Sequence, residues 1–306
     1  MRRPDATDTI VLPGVLEAIG TTKVLVGKSV RTLSAADPGL FGPGSVSWRV
    51  FSHASYGASG VAAVLMQALH PGAMAAVDQQ SVFRTDAWRR AHMTADYVLT
   101  ITFSSRPGAE AAAARVREIH RQISGIDPAT GRRHRADDPD LLLWVHAIHT
   151  EYALRGYETF AKRLTEAEQD RFVAEQVAAA ALVGLDRTAV PATRAALRAW
   201  IDGVEGLALT EPARQFARML VNARMPLTMR PFWALHLAAP AALLPDEVRA
   251  DYALPRWLPR GRLGRALMAV SLRAINAGYL LFRPVREARA RMKQVERASR
   301  RLPDDR

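Results

Sequence analysis

The sequence predicts an all-α fold: a single large helical domain. Three observations lead there. Alanine runs such as Ala111–Ala114 and Ala178–Ala181 are strong helix formers. No run of β-branched residues alternates apolar with polar, as a half-buried strand would. Proline and glycine stand at spacings that bracket segments of helix length. With 306 residues, 49% of them apolar, the chain can bury a substantial core.

Residues 1–45 carry scattered Pro and Gly and read as an N-terminal arm around the body. A helix is expected from Gly57 to Leu69, stopped at His70-Pro71-Gly72. The next runs from Asp86 to Phe103. Pro107 suits a first turn and Gly125 a C-terminal cap, which brackets a helix with His120 near its end. Residues 125–138 read as a polar loop. Asp138-Pro139 opens a helix reaching Lys162, and Thr165 with Glu168 forms a capping box for one that stops at Gly184. Pro191 and Thr210-Glu211-Pro212 start two more; 231–244 and 260–282 are also helical, before a basic helix over 284–301. The expected layout is an arm (1–45), a helical body (46–255) and basic amphipathic C-terminal helices (256–306).

Charge is concentrated. The chain nets +12, yet residues 256–301 hold thirteen basic side chains against Glu287 and Glu296, so the remainder nets only +1. On a helical wheel Arg262, Arg265, Arg273, Asn276 and Arg283 form a polar stripe, with Leu267, Val270, Ile275, Leu281 and Phe282 around the rest. Residues 260–301 are therefore expected to meet an anionic membrane surface. The competing expectation is that the apolar side packs on the body while the arginines face water. Nucleic acid is the less favoured partner, because charge alone gives only non-specific, salt-sensitive binding.

Exclusions narrow the chemistry. The absence of cysteine rules out disulfides, thiolate-ligated haem, covalent haem attachment through CxxCH, iron–sulfur clusters and cysteine nucleophiles. The first residues lack a continuous apolar h-region, and no uninterrupted apolar stretch is long enough to span a bilayer. A cytoplasmic protein, held to a membrane surface through its basic end, is the expectation. Gly27-Lys28-Ser29 ends a would-be phosphate loop whose first glycine is replaced by Thr22, and Gly57-Ala58-Ser59-Gly60 misses GxSxG by one residue. Neither HExxH nor the Glu-x-x-His of di-iron bundles is present.

At about 100° per residue, Arg90, Met93, Thr94, Tyr97 and Ile101 share one helix face. They either line a polar pocket, or Arg90 snorkels at the core edge while Thr94 bonds its own backbone. In the helix after Pro107, Ala112, Val116, Ile119 and Ile123 make the apolar stripe, with His120 at its margin and Arg117 one turn before. An inward imidazole needs a partner for each nitrogen, which a metal or two ordinary hydrogen bonds would supply. After Pro139, Leu142, Val145, Tyr152 and Ala153 define the buried side, and His146 and His149 lie on it; the pair either shares a metal or is structural. His92 and His134 are expected to be solvated.

Three ordered stretches resemble the catalytic domain shared by latex-clearing rubber oxygenases and MpaB-type oxygenases. They are Leu65-Met66-Gln67-Ala68-Leu69-His70-Pro71 with Ser81–Asp86 and Arg90–Thr94; Arg115-Val116-Arg117-Glu118-Ile119-His120 with Ser124-Gly125; and Ala136-Asp137-Asp138-Pro139 through Ala147. The likeness covers about residues 45–235. It implies a globin-like helical core around non-covalent haem b. It further implies a proximal iron ligand at His120 within the family's RxxH (Arg117 to His120), a distal group at Arg90, Met93 and Thr94, a second histidine motif at His146, and Tyr97 beside the cofactor. Rubber-cleaving members carry a lysine where this sequence has Met93, and a thioether cannot replace an ammonium. The resemblance therefore implies a haem-dependent oxygenase or peroxidase-like oxidoreductase using dioxygen or peroxide on a small apolar substrate, not rubber cleavage itself. The alternative is a non-catalytic haem- or lipid-binding helical protein.

Overall fold

A computed structural model describes residues 32–80, 87–127, 130–221, 230–255, 258, 261–279, 290 and 292–298, the side chains of 80, 87–92, 230–236, 262–263 and 274–279 excepted. In chain order the helices are α1 (Val46–Phe51), α2 (Ser55–Gln67), α3 (Pro71–Gln80), α4 (Ala87–Phe103) and α5 (Arg106–Gln122). After the strands β1 (Ser124–Ile126) and β2 (Arg133–Arg135) come α6 (Pro139–Phe160), α7 (Glu166–Leu182), α8 (Arg194–Asp202) and α9 (Glu211–Val221). α10 (Arg230–Leu243), α11 (Asp246–Asp251) and α12 (Gly261–Tyr279) complete the list. The all-α class holds.

α6 is the axis of the fold. Asp138 caps it by accepting from the Asp140 N–H, and Pro139 occupies its first turn, where no amide is needed. Much of its length is buried, including Leu141, Trp144, Ile148, Tyr152 and Phe160. α2 lies along it in the antiparallel sense: Gln67 Nε2 donates to the Val145 carbonyl (2.9 Å) and Trp144 Nε1 to the Gln67 carbonyl (3.0 Å). At the other end of α2, the His53 ring meets Tyr157 edge-on at 5.6 Å. Gly156 permits the approach: a Cβ there would overlap Ser59 Oγ and come within 3.1 Å of Ser59 Cβ and 3.3 Å of Leu243 Cδ1. Buried Ala58, Ala62 and Ala63 add little bulk on the α2 side.

Polar clamps join the other layers. Glu175 of α7 accepts from the Val46 and Ser47 amides and the Ser47 hydroxyl, setting a carboxylate at the positive end of α1. Asp37 does the same for α5, accepting from the Arg106 N–H at 3.1 and 3.0 Å. α8 docks on α6 through Arg198–Glu151 (2.8 Å) and Arg194–Glu158 (2.6 Å). α12 packs on α6 and α10, with Met268 and Ala269 in the largest apolar cluster.

Several elements differ from the sequence reading. α2 begins at Ser55, not Gly57; the break at His70-Pro71-Gly72 stands, but a further helix, α3, starts there at 106° to α2. Residues 125–138 are not simply a loop, because Ser124–Ile126 pairs antiparallel with Arg133–Arg135. α8 starts after the Thr193 cap rather than at Pro191, and α11 was not foreseen. Of the arm, residues 1–31 lie outside the described residues; Leu33 is buried against Trp48 and Phe103, so residues 32–45 belong to the packed body. The 284–301 helix is described only at 290 and over 292–298, which are helical. Among the described residues no single helix is long and apolar enough to cross a membrane.

Gly156→Ala should destabilise the fold by about 1–3 kcal/mol through overpacking. Calorimetry should show a lowered Tm, largely recovered in Gly156→Ala/Ser59→Gly; an unchanged Tm in the single variant would mean that the contact is not tight.

Candidate functional site

Two groups of side chains carry chemistry, one on the α4–α5 hairpin and one between α2 and α6. On α5 the buried residues are Ala109, Ala112 and Ala113, with Val116, Arg117 and His120 partly buried behind them. His120 therefore lies along the middle of the packed face rather than at its margin. Ile119, expected in the buried stripe, is 47% exposed. The reason is that α5 seats on α4 through small alanines, which rotates its larger aliphatics away. Arg117 donates to the carbonyl of Leu182, the last residue of α7, and so locks the rotation of α5 that aims His120. The charge of His120 helps to hold the Asp137 carboxylate low; the Arg135 guanidinium, doubly bonded to it at 2.9 Å, is the larger cause.

Tyr97 stands across from Arg117. Burial raises its phenol above the ordinary value and the nearby guanidinium partly opposes this. Its hydroxyl oxygen is enclosed and makes no hydrogen bond to any described residue. An O–H in that position is short of an acceptor. Further along α4 the face opens: Ile101 is buried, whereas Thr94 is exposed and Met93 is 52% exposed. The side chains of Arg90 and His92 lie outside the described residues. The structure thus puts Tyr97 within electrostatic reach of Arg117, with His120 one turn further along α5, and leaves Met93 and Thr94 exposed towards the start of α4.

His146 belongs to the second group, with His149, Thr150 and Tyr56. His149 stacks on Phe51 (5.6 Å between centroids, 8° between planes), and its Nε2 lies 3.1 Å from Tyr56 Oη. Burial, and for His146 also the neighbouring His149, pushes the two imidazoles down to about 3 (His146) and about 4 (His149). Burial likewise keeps the Tyr56 phenol protonated. Its O–H then donates to His149 Nε2, the one acceptor that it is given. Both rings keep some accessible surface although protein surrounds them, as side chains lining a recess do. The flank of α2 beyond Tyr56 is open: nothing lies within 4 Å of where a Cβ would stand at Gly57 or Gly60, and Val64 is exposed. Val145, expected to be buried, is exposed too, beside His146 at the edge of the α2–α6 contact. The α2–α6 edge thus carries two neutral imidazoles beside an open flank of small and apolar residues. Tyr56 was missed by sequence reasoning, since nothing local in the sequence signals a partner at His149.

His134 is corrected as well. It is 5% exposed, not solvated, because it sits in β2 with Nε2 3.1 Å from Gln79 Oε1. Gln79 Nε2 donates to the Ile126 carbonyl (2.7 Å), so one amide clamps both strands, and Gly125 has no side chain to obstruct it.

Comparison with known proteins follows the same lines. The family model described as ER-bound oxygenase mpaB/B'/rubber oxygenase, catalytic domain, matches residues 48–274, from α1 into α12. The chain belongs to this family. No curated protein and no solved structure matches it. Membership of the mpaB/rubber-oxygenase family supports an oxygenase-like role, and its rubber oxygenases are haem-dependent. The residues present suit such a cofactor. Among the described residues no three of His, Asp and Glu converge as a metal chelate, but a haem iron needs only one imidazole from the chain. The enclosed Tyr97 hydroxyl is the kind of group that receives a cofactor carboxylate.

The low imidazole values set a pH dependence. His146 and His149 take up protons readily in the unfolded chain below about 6.5 but not in the folded protein, so the unfolded state binds more protons there. Their contribution should be complete above 6.5 and decline as pH falls from 6.5 towards 4. His146→Asn/His149→Gln should melt with a flatter Tm–pH curve in that window; a curve as steep as the wild type's would assign the acid sensitivity to other groups.

Proposed function

We propose that the protein is a haem-b-dependent oxygenase-like oxidoreductase acting on a small apolar substrate, with its helices forming a globin-like core around the cofactor. The observation that carries this reading is the family match over residues 48–274; the enclosed Tyr97 hydroxyl near Arg117, with His120 one turn on in α5, supports it. When bound, haem b supplies an iron centre at which dioxygen or a peroxide is activated.

The chain's own residues would divide the work. His120 would hold the iron, with the Asp137 carboxylate within electrostatic reach of its ring. Arg117, spent on the Leu182 carbonyl, acts as a positioning residue for α5 while its charge still reaches Tyr97. Tyr97 would donate its free O–H to a carboxylate edge of the cofactor. Arg90 and Thr94 would orient the oxidant by charge and hydrogen bonding. Met93 would fill space without contributing charge, leaving that side apolar and open. The apolar edge around Val64, Val145, Gly57 and Gly60 would suit an apolar substrate, since the histidines beside it are neutral and add no charge. Met93 in place of the rubber-cleaving lysine also favours a second reading, a non-catalytic haem- or lipid-binding protein. Turnover with a reductant or peroxide separates the two.

Absorption spectra during haem titration test the assignment. His120→Ala should lose the haem spectrum and His146→Ala should retain it; the reverse would move the ligand to His146, and no uptake by the wild type would end the haem reading. Tyr97→Phe should weaken haem retention about tenfold, as loss of one charge-assisted hydrogen bond does. Met93→Leu should leave a high-spin ferric spectrum unchanged. A low-spin wild type turned high-spin by that substitution would instead make Met93 an iron ligand.

A further inference from the structure

Tyr56 of α2 and His149 of α6 form a phenol–imidazole pair that haem binding does not call on. Tyr56 Oη stands 3.1 Å from His149 Nε2. Phe51, the last residue of α1, closes round both rings. It stacks on His149 at 5.6 Å with 8° between planes, and meets Tyr56 edge-on at 5.0 Å. Two other phenols are differently placed. Tyr97 Oη makes no hydrogen bond to any described residue, and Tyr252 Oη donates to the Leu65 carbonyl (2.8 Å). A carbonyl accepts a hydrogen bond but cannot take the proton.

Ordinary acid–base exchange does not explain the pair. Burial raises the Tyr56 phenol above its usual value, and no charged group opposes this. Burial also pushes the His149 imidazole down to about 4. A weakened acid beside a weakened base keeps its proton, so near neutrality the hydrogen stays on Tyr56. Loss of an electron reverses this, because a phenol radical cation is a strong acid. Its proton then needs a base within hydrogen-bond reach, since protein rather than water surrounds the hydroxyl. His149 Nε2 is that base. Phe51, lying parallel to the imidazole, offers its ring face to the positive charge that the proton brings. A structural hydrogen bond would be met as well by a carbonyl, as at Tyr252; only a base can hold the proton of an oxidised phenol.

We propose that Tyr56 and His149 are a redox pair, in which a one-electron oxidant takes an electron from the phenol while its proton passes to His149. The Oη–H bond breaks, an Nε2–H bond forms, and the products are a neutral tyrosyl radical and an imidazolium. The oxidant gains the electron; return of one electron to the ring brings the proton back to Oη. The oxidants required are high-potential one-electron acceptors, a class to which an oxidised haem belongs. That such an oxidant is met rests on the oxygenase-like reading, whereas the pair itself is built without any cofactor. It gives the protein a defined place to hold an oxidising equivalent, beside the open α2 flank at Gly57 and Gly60.

Flash photolysis of a ruthenium tris(bipyridine) complex with a sacrificial electron acceptor supplies the oxidant to the full chain, and electron paramagnetic resonance reads the product. The wild type should give a tyrosyl signal that forms more slowly in heavy water, and Tyr56→Phe should lose it. His149→Gln keeps a hydrogen-bond acceptor but not a base, so the signal should form about a hundredfold more slowly, as loss of a positioned base does. Melting curves check that each variant is folded; if His149→Gln is not, His149→Phe, which keeps a flat ring on Phe51, replaces it. No tyrosyl signal in the wild type, an unchanged signal in Tyr56→Phe, or an unchanged rate in a folded His149 variant would overturn the proposal. The signal is distinct from that of ferric haem and the oxidant comes from outside. A protein that takes up no haem would therefore end the haem reading and leave this result standing.

Discussion

The close approach of α2 to α6 governs what the rest of the molecule can do. With no Cβ at Gly156, the backbones come near enough for the Ser59 side chain to fill the space, and Trp144 and Gln67 bond across the far end. At the edge of this contact stand Tyr56, His146, His149 and Val145, beside an α2 flank of Gly57, Gly60 and Val64 that is left open.

α6 sorts its environment by face. Towards α8 it presents Glu151 and Glu158, paired with Arg198 and Arg194, so the buried carboxylates meet guanidinium groups. Trp144, Ile148 and Tyr152 enter the largest apolar cluster. The histidine face carries no charge near neutrality, because desolvation removes the proton from each ring. Polar but uncharged walls are compatible with an apolar occupant, whereas an ion pair in the same place would not be. The hairpin site has the opposite character: the cation of Arg117 and the carboxylate of Asp137 flank His120.

Legibility in the sequence followed the range of the interaction. The capping box of Thr165 and Glu168, the Asp138-Pro139 start and the glycine stop at Gly184 act within a few residues, and all three stand in the structure. Rotation about a helix axis is not local. Hydrophobicity places Ile119 and Val145 in buried stripes, yet α5 buries its alanines instead, and α6 buries Trp144, Ile148 and Tyr152 while Val145 stays exposed. His134 was read as solvated because its neighbours are arginines, but strand pairing placed it under Gln79, from a helix more than fifty residues earlier.

The sequence by itself determined the helical class, most helix ends, the concentration of charge after residue 255 and the ordered motifs that mark the family, since each depends on residue type and short spacing. Tertiary structure alone decided which histidines are grouped and which are neutral, joined Tyr56 to His149 and Tyr97 to Arg117, and split the apolar surface of α12 into a buried half and an exposed one. Those outcomes depend on distances between residues far apart in the chain and on the water that packing removes. No periodicity encodes either quantity.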